Sequence, residues 1–305
     1  MTSSASAQDS VGGDPYVWLE DVDSPRALEW VRAENQRTLG IFQADPRYQN
    51  FYQRALEVLE AKDRIPNVVF RAGQLYNFWQ DAQHVKGILR RTSLASYRTP
   101  NPQWETLLDI DALAKAEGKS WVYDGMSCLP PDERRCLVSL SQGGRDATVV
   151  REFDLPTARF VPNGFMLEEA KQFTDWVNQD EILIARGAGD GTMSESGYPI
   201  VIKRWRRGQP VAQAVELYRG TVKDVGVFPS VLRDSAGRAH AQLAIRYIST
   251  FEQEVAVLGG ERPVALDMPK KSQLAGIVDG RVVFALTEPW TTQGANLRHG
   301  LAHFL

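Results

Sequence analysis

Ser139-Leu140-Ser141-Gln142-Gly143 is the stretch of this sequence nearest to the G-x-S-x-G turn on which many hydrolases mount a nucleophilic serine, with Ser in place of the first Gly. That turn needs a strand before it and a helix after it, so that backbone N–H groups can face the developing oxyanion. Here Gly143-Gly144-Arg145-Asp146 follows, and then a β-favouring run from Thr148, so Ser141 is expected at a strand end that enters a hairpin. The glycine-rich segment Gly187 to Gly197 holds Ser194 and Ser196 but lacks the Lys-Ser/Thr pair and following helix of a phosphate loop. Pro199 and a β run from Ile200 to Trp205 come next, which predicts a long inter-strand loop. His299 and His303 have the spacing of two zinc-binding imidazoles on one helix face, yet the glutamate of such sites is absent and Gly300 weakens a helix. His84 and His240 fall in or beside strand turns and are read as structural or exposed, with no companion acid close in sequence. Cys128 and Cys136 flank Pro130-Pro131 without a second pair to complete a four-ligand metal site, and are expected as buried structural thiols. No catalytic, cofactor-binding or metal-ligating residue is expected, and no cofactor.

The chain has 305 residues, 43% of them apolar and 24% charged, which is ample for a core and unlike a disordered composition. A net charge of -3 does not supply the concentrated basic field that a polyanion needs, so no nucleic-acid partner is expected. The most basic run, Lys203-Arg204-Trp205-Arg206-Arg207, is read as a solvated strand end before the turn at Gly208. Met1 to Gly13 is a polar, disordered tail without the charged start and apolar stretch of a signal peptide, and no apolar run reaches the ~18 residues of a membrane span. A soluble cytoplasmic protein with no membrane partner is the expectation.

These residues must be positioned by two kinds of element. Ser24-Pro25 is a capping residue followed by Pro at the first helical position, and Leu28, Val31, Asn35, Leu39 and Phe42 recur at helical spacing. Asp45-Pro46 repeats the start signal before a second amphipathic run that ends near Asp63. From Ile65 the period changes to 2, and short β-favouring runs separated by turn residues recur in groups of four every ~45 to 60 residues. Strands are predicted at 67–71, 75–80, 87–92 and 106–109, then at 121–124, 135–141, 148–154 and near Phe160. A third group falls at 173–177, 181–185, 201–205 and 215–218, a fourth at 225–232, 241–248, 254–258 and 263–266, and a last hairpin at 273–278 and 281–286. The fold class is mainly β: a partial, open β-propeller of about four to five blades, preceded by a two-helix arm. The division is a tail at 1–13, an arm at 14–64 and the partial propeller at 65–305.

Asp14-Pro15-Tyr16-x-Trp18-Leu19-Glu20-Asp21, followed by Trp30-Val31 and Glu34-Asn35, resembles the N-terminal signature of the prolyl oligopeptidase family of serine peptidases. The resemblance extends through Trp104 to Asp109, Arg134 to Gly144, Val150 to Asp154 and Glu195 to Pro199, and covers Asp14 to about Leu286. It implies N-terminal helices that pack on an α/β-hydrolase domain, and a seven-bladed propeller that admits only peptide-sized substrates. The family's catalytic Ser, Asp and His lie beyond the propeller, and no position here matches their motifs. The expectation is therefore the substrate-gating, N-terminal portion of a serine endopeptidase, inactive alone. Its partners would be short peptides, through the complete enzyme, or a hydrolase domain supplied in trans. The alternative is a stand-alone propeller that binds peptides or proteins without catalysis.

Overall fold

The computed structural model describes residues 14–303 apart from 62, 190, 293, 294 and 299. The chain divides into two compact units, one up to Ile65 and one from Pro66.

In the first unit, a short 3-10 turn at Val17–Glu20 precedes α1 (Pro25–Gln43) and α2 (Tyr48–Leu59). The Ser24 hydroxyl accepts from the Ala27 N–H at 3.2 Å and Pro25 occupies the first helical position, which together fix where α1 starts. Trp18 stands edge-on to Trp30 at 6.2 Å while the Arg26 guanidinium lies 4.2 Å above the Trp18 ring, which ties the 3-10 turn to α1. Asp45 receives the Arg47 N–H and begins a turn, and the second helix starts three residues later, at Tyr48. Ala27 is the one buried side chain of the two helices; Leu39, Ile41, Phe42, Phe51, Val58 and Leu59 are exposed.

The second unit is a succession of antiparallel sheets. Sheet one is β1 (Val69–Arg71), β2 (Gln74–Trp79), β3 (Ile88–Ser93) and β4 (Glu105–Asp109), with a short helix α3 (Leu94–Tyr97) between its last two strands. A further helix, α4 (Ile110–Glu117), leads to sheet two: β5 (Trp121–Cys128), β6 (Arg135–Gln142), β7 (Thr148–Asp154) and β8 (Arg159–Phe160), with β9 (Met166–Ala170) also paired to β7. Sheet three is β10 (Gln172–Asn178), β11 (Glu181–Arg186), β12 (Val201–Arg206) and β13 (Val215–Arg219). Sheet four is β14 (Gly226–Arg233), β15 (Ala239–Tyr247), β16 (Gln253–Leu258) and β17 (Val264–Ala265). The last sheet pairs β18 (Ser272–Val278), β19 (Arg281–Leu286) and β22 (Gly300–His303), and β20 (Trp290–Thr292) with β21 (Ala295–Leu297) forms a separate hairpin between them.

Strand alternation explains how the sheets stack. Because successive side chains point to opposite faces, a sheet covered on both sides splits its apolar residues between two cores. On β11, Ile182 and Ile184 join the core shared with sheet two, whereas Leu183 and Ala185 join the core shared with sheet four. On β14 and β15, Val231 and Ala244 face sheet three, while Leu232 and Leu243 face the last sheet. Four such cores lie between five successive sheets, the face-to-face arrangement of propeller blades. From sheet two onward the first strands lie side by side as the inner ones: β10 beside β5 and β14, and β14 beside β18.

Polar clips reinforce these cores. Between sheets two and three, Glu152 has a fully buried side chain that receives the Arg207 guanidinium at 2.6 and 3.0 Å and the Phe165 N–H at 2.8 Å. The expectation for the basic run is thereby corrected: its last arginine crosses to the neighbouring blade rather than into solvent, because a buried carboxylate needs a charged partner. Between sheets three and four, Asp175 accepts the Val231 N–H at 2.7 Å and Arg233 donates to the carbonyls of Trp176 and Val177. Between sheets one and two, Phe78 stacks on Tyr123 at 4.5 Å, and burial pushes the Tyr123 phenol up to about 12.

Cys128 and Cys136 are buried as expected, but they are not free thiols: they form a disulfide across the last rung of the β5–β6 hairpin. The hairpin register places them directly opposite each other with Cα atoms 3.9 Å apart, and that register is what the sequence reading did not contain.

Candidate functional site

The inner strands present two dissimilar ends. At the end where β10 and β14 begin, Phe173 meets Phe228 at 4.6 Å, Phe228 meets Tyr198 at 6.0 Å and Tyr247 at 5.4 Å, and Phe173 stacks with Tyr198 at 6.4 Å. All four residues are only partly buried, so the aromatic path keeps part of its surface exposed. Lys171 lies 4.0 Å over the Tyr198 ring and pairs with Asp146 at 2.8 Å, which raises the lysine's pKa and lowers that of the carboxylate. A cleft of about 390 Å³, lined by Asp124, Met126, Asp146, Gln172, Phe173 and Thr174, adjoins the path on the sheet-two side. A second, of about 420 Å³, adjoins it beyond Tyr247 and is lined by Phe251, Gln253, Lys271, Ser272 and Thr287. Aromatic faces beside clefts with a few polar groups suit the apolar side chains and amide edges of an extended peptide.

At the opposite end the hairpin loops converge. Arg71, at the β1–β2 turn, pairs with Glu133 of the β5–β6 loop at 3.0 Å. Pro130 and Pro131 of that same loop lie against Gly237 of the β14–β15 loop. A Cβ on Gly237 would stand 2.8 Å from Pro130 Cβ and 2.9 Å from Pro131 Cα, and its φ of +77° lies in the left-handed region, so Gly suits the site on both counts. Sheets one, two and four thus meet through residues 130–133.

The serine, histidine and glycine motifs fall elsewhere. Ser141 is buried within β6, in register with Val122 and Thr148, and no helix follows it. The Gly187–Gly197 segment joins β11 to β12; within it Ser194 donates to the Val225 carbonyl and receives the Tyr198 N–H, while Ser196 is exposed. His303 ends the strand β22 and His299 lies outside the described residues, so His303 is not on a helix with it. For His84 and His240 the expectation is corrected. Their rings stand 3.0 Å from Asp81 and 3.0 Å from Asp234, acids that cap tight turns and so fold back onto the imidazoles. Among the described residues, no group of three or more His, Cys, Asp or Glu side chains could hold a metal, and no helix is long and apolar enough to cross a membrane.

The aromatic path escaped the sequence reading because its members come from two strand starts, one strand end and a loop, which no local spacing connects. The usable signal was the position of Phe173 and Phe228 at the beginnings of inner strands.

An open array of mostly four-stranded antiparallel sheets stacked face to face defines the class, an incomplete β-propeller. Residues 2–282 match the family model described as the prolyl oligopeptidase N-terminal β-propeller domain, and the chain belongs to that family. An uncharacterized peptidase, y4nA, of Sinorhizobium fredii is 42% identical over 98% of this chain and 43% of its own length. An uncharacterized peptidase of Rickettsia prowazekii is 27% identical over 93% of the chain and 41% of its own. Among solved structures, a post-proline cleaving enzyme from Rickettsia typhi superposes with a TM-score of 0.84 at 25% identity, over 94% of this chain and 46% of that one. Oligopeptidase B from Leishmania major shares the fold at a TM-score of 0.62 and 16% identity, over 89% of this chain and 38% of that one. The chain thus spans less than half the length of the relatives it matches.

Proposed function

We propose that this propeller selects peptides for a serine-peptidase active site carried by a hydrolase domain, and that its own residues bind and orient peptide without cleaving it. In this reading residues 14–64 are an arm that docks on that domain through its exposed apolar side chains, and 65–305 are the gate. The observation that carries the proposal is the partly exposed aromatic path from Phe173 to Tyr247, set between two clefts at one end of the inner strands. Membership in a family of peptidases supports the choice of peptide as the ligand. The site of action is the cytoplasm.

Phe228 touches every other ring of the path, so Phe228→Ala should weaken binding of a short proline-containing peptide by about tenfold or more. Calorimetric titration of the native and variant chains tests this; equal affinity with unchanged folding would refute the assigned surface. The binding-only alternative is separated by adding a hydrolase domain from a related peptidase: cleavage that depends on the propeller supports the gate.

A further inference from the structure

The end of the inner strands opposite the aromatic path carries a device that peptide selection does not use. We propose that the Cys128–Cys136 disulfide is a redox latch on the loop 129–135, which in its oxidised form bolts sheets one, two and four together across that end. The inference stands on the geometry of the loop and is independent of what the other end binds.

The loop is short and its anchors are few. Leu129 donates to the Arg135 carbonyl and Glu133 to the Leu129 carbonyl, while outward the Arg71–Glu133 ion pair and the Pro130–Pro131 contact with Gly237 reach the neighbouring blades. Glu133 holds φ at +46°, a left-handed conformation unfavourable for a residue with a Cβ, so the loop is retained against a local tendency to relax. The disulfide sits immediately outside it, on the terminal rung of the hairpin. Cα atoms 3.9 Å apart are closer than an ordinary antiparallel rung, so the strands can move apart to the ordinary spacing once the bond between them is cut. Reduction therefore opens the rung and frees both ends of the loop. The reduced state has a ready acceptor, since Cys136 Sγ lies 3.8 Å from the Glu133 carbonyl and its thiol can donate there.

The co-reactant is a dithiol, the class of reductant that keeps reducing compartments reduced. In this proposal the attack falls on the Cys128 sulfur, since Cys136 is fully buried whereas the Cys128 residue keeps 7% of its surface exposed. The reductant's thiolate bonds to Cys128 Sγ, the protein S–S bond breaks, and Cys136 leaves as a thiolate that takes up a proton. The reductant's second thiolate then displaces the Cys128 sulfur, which is protonated in turn. Two electrons and two protons pass to the protein, and the reductant departs as a cyclic disulfide. The remaining rungs, from Trp121–Gln142 to Ser127–Leu137, are untouched, so the effect is confined to the loop and its contacts.

Hydrogen exchange by mass spectrometry on the full chain, before and after a small dithiol and again after reoxidation, tests the latch. Amides at 129–135 and 235–238 should exchange about tenfold faster on reduction, β10 to β12 should not change, and reoxidation should restore protection. The double variant Cys128→Ser/Cys136→Ser should behave as the reduced protein without added dithiol. Three results would overturn the proposal: unchanged exchange in both the reduced chain and the double variant, rapid alkylation of both cysteines in native protein never exposed to reductant, or deprotection spreading through β5 to β7.

Discussion

Glu152 shows how one side chain joins two blades. Its carboxylate is wholly buried and depends on Arg207, which also lies 4.5 Å over the Phe165 ring. Removing Arg207 leaves this buried carboxylate only the longer 3.4 Å contact with Arg135, so Arg207→Ala should lower stability by up to about 3 kcal/mol, read from chemical denaturation. Asp81 provides a pH-dependent term of opposite accessibility. Burial pushes its carboxyl up, but the N–H groups of His84 and Gln83, the Trp79 indole and the His84 ring outweigh that and bring it down to about 2 from 3.8. A carboxyl with a depressed folded pKa contributes stability above its unfolded pKa and loses it as pH falls through the folded one. The stability gap between the native chain and Asp81→Asn should therefore be constant above pH ~4 and close toward pH ~2 in an acid titration. Little of this was legible in the sequence. Arg207 ends a basic run that looks solvated, and His84 stands three residues from an acid whose turn geometry alone decides that they meet.

At the scale of the elements, period and turn chemistry were far more informative. The run Ile182-Leu183-Ile184-Ala185 reads as a strand, and its lack of alternation reflects two covered faces. Ser24-Pro25 marked the start of α1 because a cap and a ring-fixed φ act locally. The misses have equally specific causes. Met166-Leu167-Glu168-Glu169-Ala170 consists of residues common in helices, yet it pairs with β7, where tertiary contact outweighs local propensity. The third strand of the last sheet is β22, beyond an inserted hairpin, so chain order alone misplaces it. Trp176 is the test of blade stacking: it is fully buried, packs edge-on to Phe165 at 5.7 Å and donates its indole N–H to the Ser127 carbonyl of the preceding blade. Trp176→Ala should cost ~3–5 kcal/mol, visible as a lower midpoint in denaturant. Trp176→Phe should recover most of the apolar part and leave the Ser127 carbonyl without that partner.

The molecule as a whole is two units whose surfaces differ in kind. The propeller unit buries four apolar cores between its blades, although Phe70, Val85 and Phe251 stay exposed, whereas the helical unit buries only Ala27 of its two helices and leaves Leu39, Ile41, Phe42, Phe51, Val58 and Leu59 exposed. Exposed apolar side chains at this density suit a docking surface, in keeping with the proposal that the arm packs on a hydrolase domain. The family was legible from the sequence because its signature residues are contiguous; the disulfide and the aromatic path were not, because each depends on register or on residues far apart in the chain. On the proposed reading these residues select peptides and do not cleave them. When the purified chain is incubated with a short proline-containing peptide and the products are followed by mass spectrometry, the peptide should be recovered intact. Hydrolysis that a serine-directed phosphonylating reagent abolishes, and that disappears in Ser141→Ala, would contradict it.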